Sequence, residues 1–225
     1  MKYLLALVIS VLLFTSVFAQ TDETTNNYSA HGIQFQIGSN FQLESFDGLT
    51  FSYLYRANKD YFFRFGIGTF LSLLDASTTA GQTDTLETEG SADGFGLTLS
   101  GDFIFTLLRK NGFSMIAGGG PFVAYRYERN YSNIVSAFDP TEVTTTKNEW
   151  SAGLGLLIGA QFELNENIVF SGEYGLNVGY QSAAQDVETK QNDHNGNITT
   201  DLKKIETNSF NISNSAFRFG VAVYF

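Results

Sequence analysis

From residue 31 onward, large apolar side chains occupy every second position, and small or polar ones fill the places between. A period of two rather than 3.6 predicts strands. In 214–225 (NSAFRFGVAVYF), Phe217, Phe219, Val221, Val223 and Phe225 share one face, and Ala216, Arg218, Gly220, Ala222 and Tyr224 the other. The same contrast recurs in 61–74, 94–107, 113–128, 150–163 and 168–180, and two shorter runs, 32–38 and 48–56, bring the expected total to eight strands. The connections alternate too. ANKD (57–60), LRKNG (108–112) and LNEN (164–167) carry residues that tight turns require, whereas 75–92, 129–147 and 183–212 are long and polar. Strict alternation places every tight turn, and both chain ends, at one end of an up-and-down sheet.

Volume decides which face points outward. The interior of an eight-stranded barrel is only wide enough for side chains to fill it. Dozens of Phe, Tyr and Leu would not fit, but Gly, Ser and Ala would. The large face therefore looks out, onto lipid rather than water. The predicted fold is all-β: an eight-stranded antiparallel up-and-down transmembrane β-barrel, with short periplasmic turns and long external loops.

Charges on the inward face must be paired or cost several kcal/mol each. The expected interior network is Arg56, Arg64, Arg126 and Arg218 against Asp102, Glu128, Glu163 and Glu173. Counted up from the tight turns, Arg64 and Asp102 lie at similar heights on neighbouring strands, as do Glu173 and Arg218, and both are expected as ion pairs. Tyr127, Trp150 and Tyr180 fall at the long-loop ends of their strands, and Tyr61, Phe113 and Phe225 at the turn ends. These are expected to form two interfacial aromatic girdles. Pro121 sits inside a predicted strand, where it removes a ladder hydrogen bond; with three glycines before it, a bulge or strand break is expected there.

Composition narrows the function. A net charge of −10 with no basic patch argues against a nucleic-acid partner. With Cys 0 there is no disulfide, thiolate metal site or thiol nucleophile. MKYLLALVISVLLFTSVFAQ has the charged start, apolar run and small-residue close of a cleaved secretory signal, read as 1–19 and implying Sec-type export. A polar leader follows at 20–30, and the barrel occupies 31–225. The two histidines, His31 and His194, fall at opposite ends of the expected barrel, so no catalytic or metal-binding pair forms. Asp75, Asp84, Glu87 and Glu89 read as a solvated loop. No catalytic residue, metal ligand or cofactor is assigned.

The C-terminal strand, with its alternating apolar residues and final Phe225, resembles those of bacterial outer-membrane β-barrels. That likeness implies recognition by the barrel-assembly machinery. GGGPFVAYRY (118–127) resembles the Gly-Pro-aromatic-x-x-Tyr stretch of small "outer membrane protein beta-barrel domain" families of the Bacteroidetes type. Together they imply an integral protein of the bacterial outer membrane, in contact with outer-membrane lipid. The expected role is non-enzymatic: the barrel, its lumen plugged by charge, anchors loops 75–92, 129–147 and 183–212 for a surface partner. A small pore or transporter is the first alternative, and an outer-membrane lipid or ester hydrolase the second.

Overall fold

The structure, a computed structural model, describes residues 30–38, 49–80, 86–135, 141–192, 197–214 and 217–225; at 73–80, 86–89 and 134–135 only the backbone is described. The expected signal 1–19, most of the leader, and His194 lie outside the described residues.

Nine strands form one antiparallel sheet: β1 (His31–Gly38), β2 (Leu49–Arg56), β3 (Tyr61–Ala80), β4 (Leu86–Lys110), β5 (Phe113–Val135), β6 (Thr141–Glu163), β7 (Ile168–Asn192), β8 (Ile198–Asn214) and β9 (Arg218–Tyr224). Consecutive strands pair from β1 to β7, and β9 closes the ring by pairing with both β7 and β1. β8 and β9 lie end to end along β7, against Leu176–Asn192 and Ile168–Glu173 respectively. They act as one interrupted stave, so the ring has eight staves although the strands number nine. The chain is an all-β, antiparallel, up-and-down barrel.

The long polar segments differ from expectation. They are largely extended β-hairpins rather than loops, with β3–β4, β5–β6 and β7–β8 paired as far as Ala80↔Leu86, Ile134↔Thr141 and Asn192↔Ile198. Once a neighbouring strand is in register, each further residue adds backbone hydrogen bonds without a new loop-closure cost. Thr-rich stretches such as Thr144, Thr145 and Thr146 have the branched side chains that strands favour. β1 and β2 are short, so the wall beyond them is six strands wide. Its two borders, the distal parts of β3 and β8, have no strand partner on that side among the described residues.

The turns are tighter than the sequence suggested at 108–112. β4 runs on to Lys110, leaving Asn111 and Gly112 at φ 51° and 79°. Positive φ at both central residues is what a type I′ hairpin turn requires. The extra residue appears as a bulge at Leu107, between the pairs Thr106↔Ile116 and Leu108↔Met115. No bulge occurs at Pro121. β5 continues through it in unbroken register with β6, through Pro121↔Leu154. On the β4 side the ladder skips the positions between Ser100↔Phe122 and Phe103↔Gly119 and resumes unshifted. The missing N–H thus costs pairing locally without moving the register. Here the backbones crowd, and a Cβ at Gly120 would fall on the carbonyl oxygen of Gly101.

The two faces invert the polarity of a soluble domain. On β1, Ile33 and Phe35 are exposed while Gln34 and Gln36 are buried; on β9, Phe219, Val221 and Val223 are exposed while Ala222 and Tyr224 are buried. Among the described residues the buried apolar core comprises Leu54, Phe62, Ile104, Ile116, Leu157, Val169, Ala222 and Tyr224, all in the turn-end half of the lumen.

Candidate functional site: the lumen and its two rims

The lumen is layered along its axis. At the turn end, β2, β3, β4, β5, β6, β7 and β9 contribute the apolar core. Arg56, from the last position of β2, lays its guanidinium 4.0 Å from the centre of the Tyr224 ring. Glu163, at the end of β6, lies 3.6 Å from Arg109. Both expected charges are therefore at the lower rim, one engaged by a ring and the other by a residue the pattern did not single out.

The middle layer is ionic. Arg64 and Asp102 are cross-strand partners, and their side chains meet at 2.9 Å. Arg64 Nη1 also donates to both Glu173 oxygens, at 2.8 and 2.7 Å. Gln34 Nε2 donates to Ser171 Oγ at 2.9 Å, and Gln34 Oε1 faces Arg64 Nη1 at 3.4 Å. Arg64 is 1% exposed and Glu173 0%. One guanidinium thus holds two carboxylates from opposite sides of the lumen. A buried charge is tolerated only when partners come this close.

The expected Glu173–Arg218 ion pair is not formed. The two residues are in register, but the Glu173 carboxylate is taken by Arg64. A register argument sees only adjacent strands, and inside a narrow barrel the better partner can come from across the lumen. Arg218 is left beside the cluster, its Nε buried and without a hydrogen-bond partner among the described residues.

Above this layer lies a cavity of about 530 Å³, with Asp102, Leu157 and Arg218 toward its floor and hydroxyls and amides such as Ser151, Asn177 and Gln181 on its walls. Phe70 packs against Gly94 and Gly96 of the neighbouring strand, and Arg126 reaches over its ring at 3.9 Å. Arg126 and Glu128 pair with each other at 2.6 Å, at the mouth rather than in the deep network. Lys147 and Glu149 form a similar pair at 2.7 Å.

The outer surface carries the aromatic residues. Trp150 packs 4.6 Å from Tyr125, and Phe95 5.5 Å from Tyr127; Trp150 and Tyr180 are exposed and Tyr127 is half-buried. At the other end Tyr61, Phe113 and Phe225 are exposed, and Tyr61 stacks on Phe103 at 5.9 Å. His31 also lies at this rim, its Nδ1 2.6 Å from Tyr53 Oη. Between Trp150 and Phe162 the outward side chains of β6 are Ala152, Leu154, Leu156, Ile158 and Ala160, and Leu154 is 59% exposed. The two aromatic residues are twelve positions apart on β6, about 40 Å along the strand and about 30 Å along the barrel axis at a tilt of roughly 40°. Beyond Trp150 the outward positions turn polar at once, with Asn148, Thr146 and Thr144.

The sequence pattern missed Gln34, Gln36 and Ser171, although the alternation in HGIQFQIG did place both glutamines inward. Among the described residues no cluster of His, Asp and Glu is arranged to hold a metal ion.

Fold and site together define a β-barrel with an apolar exterior, a lumen blocked in its lower half, and a cup above. No family model matches the chain, and no curated protein is similar to it. Among solved structures it resembles a major outer membrane protein from Thermus thermophilus, with 18% identity, 87% of this chain and 100% of that chain covered, and a TM-score of 0.42. Acinetobacter baumannii CarO matches at 12% identity, with 86% and 97% covered and a TM-score of 0.37. CarO2 from the same organism matches at 13%, with 89% and 100% covered and a TM-score of 0.40. The fold assignment rests on the strand ladder described above, and these distant likenesses add nothing to it.

Proposed function

We propose that the chain is an integral, non-enzymatic protein of the bacterial outer membrane. Its barrel anchors the extended hairpins, and its lumen is closed at the turn end. The observation that carries this is the polarity inversion. A band of exposed apolar side chains about 30 Å tall is bounded by aromatic rims and surrounds an interior holding Arg64, Asp102 and Glu173. Water would not support that exterior; hydrocarbon does. The closed lumen is supported by the buried apolar core, with Leu54, Ile104, Ile116 and Tyr224 each 0–1% exposed.

The polar hairpins beyond the upper rim are the surface offered to a partner, and they take the role first given to loops 75–92, 129–147 and 183–212. Export by a cleaved signal at 1–19, assembly through the C-terminal strand, and affiliation with the small Bacteroidetes-type barrels, resting on GGGPFVAYRY, belong to the same proposal.

Heat-modifiable gel migration of the protein from a membrane fraction, followed by planar-bilayer recording of the same sample, tests it. A folded, heat-shifted species without conductance is the expected result. Steady channels would overturn the closed lumen in favour of a small pore, and no heat shift would overturn the membrane barrel.

A further inference from the structure

The cup above the ion cluster is electrically balanced at both ends. At the mouth Arg126 is matched by Glu128, and Lys147 by Glu149. At the floor Arg64 holds Asp102 and Glu173, and Arg218 lies in register with Glu173, so these four charges sum to zero. A ligand of net charge, of either sign, would bring an uncompensated ion into a narrow lumen where its desolvation is costly. The space is nonetheless large. Its volume of about 530 Å³ lies within the roughly 300–1,000 Å³ typical of small-molecule pockets. Small inward residues leave that room: a Cβ at Gly155 would meet nothing closer than Asn177 Oδ1, at 3.2 Å.

The lining is polar but mostly uncharged. Thr98, Ser151, Asn177 and Gln181 present hydroxyls and amides, and Phe122 and Leu157 add an apolar patch. Asp102 lines the same space, and its contacts with Arg64 at 2.9 Å both run through Oδ2. Amides offer donors and acceptors together, and a hydroxyl serves in either role. A ligand rich in hydroxyls matches such a wall, whereas one with acceptors alone or donors alone would leave half of it unserved.

Resting on the barrel reading above, we propose that the cup binds a neutral saccharide or related polyol. The ligand's hydroxyls donate to the Asp102 carboxylate and exchange hydrogen bonds with Asn177 and Gln181, and its C–H face lies against Phe122. Entry is from the hairpin end, because the lower lumen is filled.

The test is calorimetric titration of the full chain, folded in lipid nanodiscs, with glucose as probe. Gluconate and glucosamine carry a negative and a positive charge on the same skeleton, and alanine serves as a zwitterion. Glucose is expected to bind saturably at one site, at least about tenfold tighter than the other three. Asn177→Leu is expected to weaken glucose about fivefold, the usual loss for one neutral hydrogen bond. Ala124→Trp, which fills the cup from β5, is expected to abolish binding. It decides the matter should Asn177→Leu fail to fold.

Equal binding of glucose by wild type and Asn177→Leu, or by wild type and Ala124→Trp, would overturn the site. Gluconate or glucosamine binding as tightly as glucose would overturn the neutral assignment, and alanine binding more tightly would replace the polyol by an amino acid. Heat-shifted protein that takes up no glucose would overturn the ligand proposal alone, whereas wild type that never heat-shifts removes the barrel beneath it.

Discussion

Arg64 and Glu173 stand 109 residues apart in the chain, yet Arg64 Nη1 donates to both carboxylate oxygens of Glu173, at 2.8 and 2.7 Å. With Asp102 on its other side, Arg64 ties the β3–β4 wall to β7 across the lumen. Replacing it by Met leaves the buried Glu173 and the cavity-lining Asp102 with one nearby cation, Arg218, for two negative charges. Arg64→Met is expected to cost about 3–5 kcal/mol of folding stability, read from urea titration of the heat-modifiable fraction in lipid vesicles. Replacing Arg64 by Met and Asp102 by Leu together leaves one carboxylate, Glu173, in register with one guanidinium, Arg218, and is expected to recover most of that loss.

The lipid-facing band makes a depth-dependent prediction. Leu156 lies midway between Trp150 and Phe162 on the outward face of β6 and is exposed. Leu156→Arg is expected to cost about 2–4 kcal/mol in vesicles, while Asn148→Arg, beyond the upper rim, costs about 0–1 kcal/mol. Equal effects at the two positions in the same titration would contradict the placement of the bilayer.

Trp150 is the protein's one tryptophan and marks the upper rim. Its fluorescence is expected to be quenched most by lipids brominated near the headgroup, and least by lipids brominated near the chain terminus. The reverse order would put the rim at the wrong depth.

The Asn111–Gly112 turn depends on a backbone that L side chains adopt at a cost. With φ of 79° at Gly112, Gly112→Ala is expected to destabilise the barrel by about 1–2 kcal/mol, measured by the same titration. Asn58, whose Oδ1 accepts from the N–H of Asp60 and of Tyr61, holds the β2–β3 turn differently. Asn58→Ala is expected to cost about 1 kcal/mol.

Much of this architecture was legible along the chain. Alternation identified the strands and their faces because side-chain direction in a strand repeats every two residues whatever it packs against. The volume of an eight-stranded barrel then settled which face is outward. Arg64 beside Asp102 followed from counting up two adjacent strands. The hairpin extensions were not legible, because polar residues such as those of 183–192 and 198–209 carry no apolar contrast, and ladder hydrogen bonds leave no trace in composition.

What the sequence by itself determined was therefore local: period, face, turn positions and the aromatic rims. Tertiary structure alone decided which carboxylate Arg64 would hold, that Arg218 would be left over, that the interrupted β8–β9 stave would close the ring, and that a cup would remain above a filled floor. The physical reason is closure. Bending the sheet until β9 meets β1 brings residues far apart in the chain face to face across a narrow lumen, where burial strengthens their pairing and the space left over becomes the cavity.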